Sequence, residues 1–291
     1  MGSVESIQSP QNNNDSTVVL HLTTNKVMLK TNLTMNNESV EFIIDTGFTG
    51  SSIINSFSNS DIVGGKGCRF DRQNCFELVS LGETKKHCAK EYICDTQFNN
   101  DPFVLMNMGS DIPNIITLDF LLKRGDLITF NLPAYKIEIQ NRPLKTANDS
   151  SIIRRVPLQK IHDAFVIHVK INGITARCIV DTGSSLTLSL CKDWVDAHEQ
   201  QIDLWQVDDL LRQQGVNGEL IKSNKTVKLP IKISNSDQDL VWHSNVYLND
   251  TAIQDENIDG YLGLETMWQA FGGVFIIEND DVTPNLCFYQ S

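Results

Sequence analysis

The tripeptide Asp-Thr-Gly occurs twice in this chain of 291 residues, at Asp45-Thr46-Gly47 and at Asp181-Thr182-Gly183. Each copy follows a largely apolar run, residues 40–44 in the first half and residues 176–180 in the second. An apolar strand places the acidic residue at a buried end, and the glycine permits a tight turn whose backbone N–H groups reach the carboxylate. The two copies therefore predict two strand ends whose carboxylates can face each other.

The sequence around the two copies repeats as well, which indicates an internal duplication. A strand pattern at residues 27–33 precedes the first copy, and a strand at residues 165–171 with the hairpin dipeptide Asn172-Gly173 precedes the second. Downstream, each half carries an apolar segment with a short helical stretch and then a strand pair, at residues 115–121, 127–130 and 135–139 in the first half and 261–267, 274–277 and 286–289 in the second.

These motifs resemble those of the two-lobed aspartic peptidases of the pepsin and retropepsin clan. In that clan, an apolar strand leads into Asp-Thr-Gly, and two apolar residues and a glycine later pack behind the catalytic loop. Residues 179–186 closely resemble the second catalytic loop of pepsins, and Asp259-Gly260-Tyr261-Leu262-Gly263 resembles the packing segment. The resemblance implies a mainly β, bilobal pepsin-like fold, with two related β-barrel lobes and the active-site cleft between them.

By this resemblance the chain is expected to be an aspartic endopeptidase that hydrolyses extended peptide or protein substrates. A water activated between the catalytic pair, Asp45 and Asp181, is expected to attack the peptide bond. Thr46 and Thr182 are the positions that, in the family, bond to the opposite loop and keep the halves in register. The supporting residues of the two loops are then Thr46, Gly47, Thr182, Gly183 and Ser184. No cofactor and no metal is expected, and the protein is expected to be a monomer.

The first half departs from the family pattern at two positions. Phe48 stands where pepsins have Ser or Thr and has no side-chain group to donate to Asp45, whereas Ser184 can donate to Asp181. An asymmetric pair is therefore expected. Thr117 replaces the glycine of the packing segment, and its bulk is expected to press toward the loop that holds Asp45.

Other interpretations remain open. Pepsins cover the cleft with a hairpin that carries a tyrosine near its tip, and residues 76–100 contain no clear copy of it, with Tyr92 the candidate. Together with Thr117, this leaves room for a catalytically impaired pepsin-fold protein that acts as a binding or inhibitory module. The third interpretation is an interaction domain built around zinc, and the fourth treats each Asp-Thr-Gly as a strand-ending turn only.

The chain divides into a polar tail, two lobes and a linker. The tail at residues 1–16 lacks an apolar pattern and is expected to be disordered. The N-terminal lobe is expected at residues 17–147, with a cysteine-containing insert at 68–94, the linker at 148–156 and the C-terminal lobe at 157–291. One stretch breaks the β pattern, because residues 193–214 place Trp194, Ala197, Ile202, Trp205, Leu210 and Leu211 on one face of a helix.

Charge and hydropathy exclude two classes of partner. The net charge of −12, with Lys and Arg runs no longer than pairs, argues against nucleic acid, which requires clustered basic side chains. No apolar stretch is long enough to span a membrane, and none at the N-terminus has the features of a signal peptide.

Four of the seven cysteines lie close together in the insert, at Cys68, Cys75, Cys88 and Cys94. We favour two disulfides there, with three pairings open, because no Cys-x-x-Cys supports a zinc site. A pair among Cys178, Cys191 and Cys287 is a further option. Six glycosylation sequons occur, at Asn14, Asn32, Asn37, Asn148, Asn224 and Asn249. Together these features favour a secreted or endolysosomal glycoprotein whose signal or propeptide is missing from this sequence, the alternative being a cytoplasmic protein.

Overall fold

The computed structural model describes most of both lobes. It covers residues 17–24, 27–35, 38–48, 52–55, 68–80, 83–94, 102–106, 113–141, 154–161, 164–203, 205–214, 220–234, 239–251, 253, 257–280 and 283–288. The predicted tail at residues 1–16 and the first part of the predicted linker lie outside these residues. The last part of that linker belongs to a strand that begins at Arg154.

The first half of the chain contains ten described strands and one short helix. They are β1 Val18–Thr24, β2 Lys30–Met35, β3 Glu38–Asp45, β4 Ile53–Asn55, β5 Cys68–Ser80, β6 Glu83–Cys94, β7 Pro102–Met106, β8 Asn114–Thr117, α1 Leu118–Leu122, β9 Leu127–Asn131 and β10 Lys136–Gln140.

The second half contains thirteen described strands and three helices. They are β11 Arg154–Pro157, β12 Gln159–Ile161, β13 Ala164–Ile171, β14 Ile174–Asp181, β15 Leu188–Leu190, α2 Lys192–Ala197, α3 Glu199–Ile202, β16 Gln206–Gln214, β17 Leu220–Thr226, β18 Leu229–Ser234, β19 Asp239–Ser244, β20 Tyr247–Asn249, β21 Gly260–Gly263, α4 Leu264–Phe271, β22 Val274–Glu278 and β23 Asn285–Phe288. None of the described helices has the length and apolar character needed to cross a membrane.

The two halves repeat one local topology around their central strands. In the first half β3 lies between β2, antiparallel, and β8, parallel. In the second half β14 lies between β13, antiparallel, and β21, parallel. Asn172 and Gly173 join β13 to β14 with φ values of 48° and 87°, the left-handed conformation that a two-residue hairpin turn requires. The predicted duplication and the mainly β, two-lobed architecture are confirmed.

A sheet shared by both halves joins the lobes. At one end of this sheet the strands follow the order β11, β23, β22, β9, β10 and β1, and the sheet continues from β1 into β2 and β3. The predicted final strand pair of each half therefore meets the other where β22 pairs with β9. Phe275 and Phe130 are direct partners in that register, and their rings stack with centroids 4.4 Å apart and planes 6° from parallel. Both side chains are fully buried. The junction between the lobes is therefore a continuous, aromatic-lined sheet.

The structure corrects the helix predicted for residues 193–214. Only α2 and α3 are helical, and β16 continues the chain as a strand that pairs with β17. Trp194, Ile202 and Trp205 are buried, as expected for an apolar face, but Leu210 is 53% exposed. The apolar spacing resembled a helical face by chance, and pairing with β17 decides the conformation of the second half of the segment.

A long antiparallel hairpin, β5 with β6, occupies much of the stretch in which the sequence showed no copy of the pepsin hairpin. Its two strands are connected through residues 81–82. Tyr92, the candidate tyrosine, lies in β6 opposite Phe70 and far from that connection. A hairpin thus occupies this stretch, and Tyr92 lies away from the residues that connect its strands.

The aromatic junction between the lobes generates a stability prediction. We expect Phe275→Ala to lower the free energy of unfolding by about 3–5 kcal/mol, because it removes a fully buried ring and leaves a cavity against Phe130. Val241→Ala is the control, since Val241 is 51% exposed and its truncation should change stability by about 0.5 kcal/mol or less. Urea unfolding followed by circular dichroism measures both, and equal midpoints for the two variants would contradict the prediction.

Candidate active site

Asp45 and Asp181 occupy equivalent places at the ends of the two central strands. Asp45 is the last residue of β3 and lies opposite Thr117 of β8, while Asp181 is the last residue of β14 and lies opposite Gly263 of β21. In each lobe the parallel neighbour ends at the same level as the aspartate. The backbone then turns away and leaves the carboxyl group at the end of the sheet.

Reciprocal hydrogen bonds between the two loops connect the lobes at this point. The N–H of Thr46 donates to Oγ1 of Thr182 at 3.2 Å, and the N–H of Thr182 donates to Oγ1 of Thr46 at 3.0 Å. Each hydroxyl in turn donates at 2.8 Å to a carbonyl of the opposite strand, from Thr46 to Val180 and from Thr182 to Ile44. Both threonines are buried. The bonds between the halves that the resemblance implied for these two positions are present.

Each aspartate is also held by N–H groups of its own loop. Oδ1 of Asp45 accepts from the N–H of Gly47 at 3.0 Å and from the N–H of Phe48 at 2.9 Å. Oδ1 of Asp181 accepts from the N–H of Gly183 at 2.8 Å, and the backbone of Ser184 also bonds to this carboxyl group. Phe48 thus supports its aspartate through the backbone, for which its side chain is irrelevant.

The two glycines allow the carboxyl groups to approach each other. A Cβ atom on Gly47 would lie 2.4 Å from Cγ of Asp181, and one on Gly183 would lie 2.4 Å from Cγ of Asp45. Any larger residue at either position would displace the opposite carboxyl group. With glycine at both positions, the carboxyl groups of Asp45 and Asp181 lie within hydrogen-bonding reach of each other.

Burial raises the pKa of both carboxyl groups above the ordinary value of an aspartate. For Asp45, hydrogen bonds from Asp181, Phe48 and Gly47 oppose this rise. For Asp181, the negative charge of Asp45 adds to the effect of burial, so its pKa lies well above the ordinary range. Two like charges this close cannot both form at low cost, and the pair therefore keeps one shared proton at pH values where a free aspartate has lost it.

Thr117 does not disturb the loop of Asp45 in the way that its bulk predicted. Its N–H donates to Oγ of Ser52 at 3.1 Å, and its own hydroxyl accepts from the N–H of Phe120 at 3.4 Å at the start of α1. Thr117 is fully buried and Ser52 is 2% exposed. Thr117 therefore has polar partners in Ser52 and the N–H of Phe120, and the predicted pressure of its side chain on the Asp45 loop is not seen.

The second lobe fills the equivalent place with backbone. The N–H of Gly263 donates to the carbonyl of Thr187 at 2.8 Å, and a Cβ on Gly263 would lie 2.2 Å from the carbonyl oxygen of Leu186. Position 263 therefore requires glycine. In the first lobe the hydroxyl of Ser52 accepts the N–H of Thr117, as the carbonyl of Thr187 accepts the N–H of Gly263 in the second lobe. Ser52 could not be recognised from the sequence, because nothing in one copy of the repeat marks a serine seven positions after the aspartate.

A partly buried ion pair behind Asp181 was likewise not expected from the sequence. Arg177 in β14 donates to both carboxylate oxygens of Asp259, from Nε at 3.0 Å and from Nη2 at 3.0 Å, and its backbone N–H adds a bond of 2.7 Å. This bidentate pair links β14 to the segment that enters β21. A basic residue within an apolar strand, together with an acidic residue just before Gly260, was the available signal.

The described side chains test the predicted disulfide in the second lobe and, for their own part of the chain, the presence of a metal site. Cys178, Cys191 and Cys287 are buried free thiols, so the option of a disulfide among them is wrong. Among the side chains that the structure describes, no group of three or more His, Cys, Asp or Glu residues could hold a metal ion. The side chains of the cysteine cluster at residues 68–94 lie outside that set.

Comparisons with known proteins place this site in a recognised architecture. No family model matches the chain, and no curated protein sequence matches it. Solved structures do: an aspartic proteinase from Irpex lacteus superposes with a TM-score of 0.56 at 13% identity, over 94% of this chain and 98% of that one. The fold is pepsin-like. Basic 7S globulin from soybean also matches, with a TM-score of 0.50 at 12% identity, over 95% of each chain.

The two neighbours show the fold and leave the activity open. One is named for a proteinase and the other for a globulin, and a shared fold does not by itself fix function. The catalytic role of Asp45 and Asp181, and the supporting roles of Thr46, Gly47, Thr182, Gly183 and Ser184, therefore remain predictions that the geometry of this chain must carry.

The raised pKa of the pair generates a prediction about stability and pH. A carboxyl group whose pKa rises on folding stabilises the folded state below its unfolded pKa of about 3.9, and that contribution is lost as the pH rises. Asp181→Asn cannot ionise, so we expect its melting temperature relative to the unmodified protein to increase from pH 4 toward neutral pH. Differential scanning calorimetry across this range measures the difference.

Asp239→Asn is the control for that experiment. The ion pair with Lys232 lowers the pKa of Asp239, so its contribution has the opposite sign, present above the unfolded pKa and lost as the pH falls. Melting curves of the Asp181→Asn and unmodified proteins that stay parallel across pH would show that the pair is not coupled.

The bond between Ser52 and Thr117 generates a second prediction for this site. We expect Ser52→Ala to lower the free energy of unfolding by about 1–3 kcal/mol, because the buried N–H of Thr117 loses its acceptor. Ser39→Ala is the matched control, since Ser39 is exposed on β3 of the same lobe and should matter by about 0.5 kcal/mol at most. Chemical denaturation gives both values, and a Ser52→Ala protein as stable as the Ser39→Ala protein would refute the role of this hydroxyl.

Proposed function

We propose that the protein is an aspartic endopeptidase whose catalytic pair is Asp45 and Asp181. The observation that carries the proposal is the meeting of two carboxyl groups, one from each lobe, within hydrogen-bonding reach of each other. The pepsin-like fold, with a neighbour named as an aspartic proteinase, supports it. No cofactor or metal is needed for this chemistry.

The mechanism follows from the shared proton. The ionised member of the pair takes a proton from a water held between the carboxyl groups, and that water attacks the carbonyl carbon of the peptide bond. The protonated member donates to the carbonyl oxygen as the tetrahedral intermediate forms. Because the two carboxyl groups titrate together, the single proton belongs to the pair, and either aspartate can serve as acid while the other serves as base.

The loop bonds supply the positioning that this mechanism needs. Proton transfer requires donor and acceptor within hydrogen-bonding distance, and a displacement of about 1 Å is costly. The reciprocal bonds of Thr46 and Thr182 link the two loops directly, so neither aspartate moves without the other. The carboxyl oxygens that bond to the N–H groups of Gly47 and Gly183 cannot rotate freely.

A second candidate is a binding or inhibitory module that keeps the fold without cleavage. The observation that favours it is the similarity to a protein named as a globulin, over 95% of each chain. In this case the cleft would hold an extended peptide segment, and the carboxyl pair would act as a hydrogen-bonding group only. The two candidates differ in a single observable, which is the cleavage of a peptide bond.

Two of the six sequons have an asparagine that is exposed in the described structure, and we propose these two as glycosylation sites. Asn32 and Asn224 are exposed on β2 and β17, so a glycan can be carried there. Asn249 is 8% exposed, and its side-chain oxygen accepts from the hydroxyl of Ser223 at 2.6 Å, so it is unavailable in the folded protein. The other sequons lie outside the described residues.

A cleavage assay tests the proposed function. We expect the protein to cleave unfolded protein substrates between about pH 3 and pH 7, where a shared-proton pair is singly ionised, and to be blocked by a statine-type inhibitor. Asp45→Asn and Asp181→Asn should each lower turnover by at least about 10²-fold without loss of the fold. Mass spectrometry of the products and circular dichroism of the variants provide the two readouts.

Asp239→Asn is the control, because it removes an exposed carboxylate of the same lobe outside the site. Undiminished turnover in either catalytic variant would reject the assignment of the pair. A folded, unmodified protein that cleaves nothing across this pH range would favour the binding module.

A further inference from the structure

The four clustered cysteines occupy opposite backbone positions on the long hairpin of β5 and β6. In the backbone register, Cys68 lies opposite Cys94, and Cys75 lies opposite Cys88. Each cysteine of β5 is therefore the direct cross-strand partner of a cysteine of β6. A shift of one residue in either strand would remove both matches at once.

An irregularity in β5 is what aligns the second pair with the first. From Cys88 to Cys94 the chain advances by six residues along β6, whereas from Cys68 to Cys75 it advances by seven along β5. The register shift between Phe70 and Arg72 absorbs the additional residue. The second match then lies six register steps from the first, an even number, so both positions are on the same face of the hairpin.

The register selects one of the three possible pairings. Directly opposite residues in antiparallel strands have Cα atoms about 4.5–5.5 Å apart, within the span of about 4.4–6.8 Å that a disulfide bridges. The other two pairings would join cysteines six or seven residues apart along the hairpin, a distance of about 20 Å. Those pairings are incompatible with this backbone.

Few neighbouring strands support the hairpin, so crosslinks would stabilise it. β5 is the edge strand of its sheet, and β7 pairs with β6 only from Lys90 to Ile93. Beyond Lys90, within the part of the chain that the structure describes, the hairpin continues as a two-stranded ribbon, which is marginally stable alone in water. The Cys75 and Cys88 positions lie where this ribbon leaves the sheet, and the Cys68 and Cys94 positions lie at the open end of the hairpin, next to the residues that pair with β7.

We propose that Cys68 bonds to Cys94 and Cys75 bonds to Cys88, forming two cross-strand disulfides that hold the register of the β5–β6 hairpin. Each bond forms when two thiols lose two protons and two electrons to a disulfide oxidant, such as oxidised glutathione, which is reduced to two thiols. The inference is independent of the proposed peptidase activity. It requires folding in a compartment where such oxidants persist.

The remaining cysteines provide an internal reference. Cys178, Cys191 and Cys287 are buried free thiols in the second lobe. Burial and the charge of Glu278 raise the pKa of Cys287 to about 12, so it stays protonated and unreactive at neutral pH. Only the cysteines of the hairpin are therefore expected to be oxidised.

Peptide mapping of the full-length protein, produced by secretion, tests the pairing. Trypsin places the four hairpin cysteines in four separate peptides, residues 67–69, 73–85, 87–90 and 91–123. Digestion after alkylation, without reduction, should yield peptide 67–69 linked to 91–123 and peptide 73–85 linked to 87–90. The three lobe-two cysteines should appear as alkylated thiols once the protein is denatured.

Other outcomes of this mapping overturn the proposal. A link between any other two peptides, four alkylated hairpin cysteines, or zinc found in the intact protein by elemental analysis would each do so. As a second measurement, we expect mild reduction to raise the rate of proteolysis within residues 68–94 by at least about tenfold, because the ribbon loses its crosslinks. The double variant Cys75→Ser with Cys88→Ser should show faster cleavage without reduction, while Cys287→Ser should not.

Discussion

The reciprocal hydrogen bonds between Thr46 and Thr182 are the constraint on which the site depends. They are buried, and each threonine both donates to and accepts from the opposite loop. The carboxyl pair, the close approach of Gly47 and Gly183, and the raised pKa values all require the two loops to stand in this register. The shared sheet that carries the Phe130 and Phe275 stack joins the lobes, whereas the threonine bonds align them.

The two lobes use different hydrogen-bond acceptors for the strand that lies beside each aspartate. In the second lobe a glycine is necessary, because the carbonyl of Leu186 leaves no room for a side chain at Gly263. In the first lobe the N–H of Thr117 donates to the hydroxyl of Ser52, whereas in the second lobe the N–H of Gly263 donates to the backbone carbonyl of Thr187. In both lobes the last N–H of the parallel strand, β8 or β21, donates a hydrogen bond. The acceptor is a side-chain hydroxyl in the first lobe and a backbone carbonyl in the second. A departure from the family pattern at one position is compensated at another.

Several features were predictable because they depend on short stretches of sequence. The aspartates at the ends of β3 and β14, the Asn172-Gly173 turn and the final strand pairs are encoded by local apolar patterns and turn residues. The helix predicted over residues 193–214 failed at β16, because its partner strand β17 lies elsewhere in the sequence and periodicity alone does not reveal it. The partner of Thr117 was hidden for the same reason, since Ser52 is remote in sequence and ordinary in composition.

Two matched strand ends that each present an aspartate follow from the sequence alone, because a duplicated local pattern dictates duplicated local structure. Tertiary packing brings the two carboxyl groups together, places Gly47 and Gly183 each against the opposite aspartate, and raises the pKa of both carboxyl groups through burial. Strand register likewise sets which hairpin cysteine positions lie opposite each other, because the irregularity between Phe70 and Arg72 aligns the two strands. Distances between residues far apart in the chain arise from packing and strand register, and neither can be derived from the spacing of motifs along one sequence.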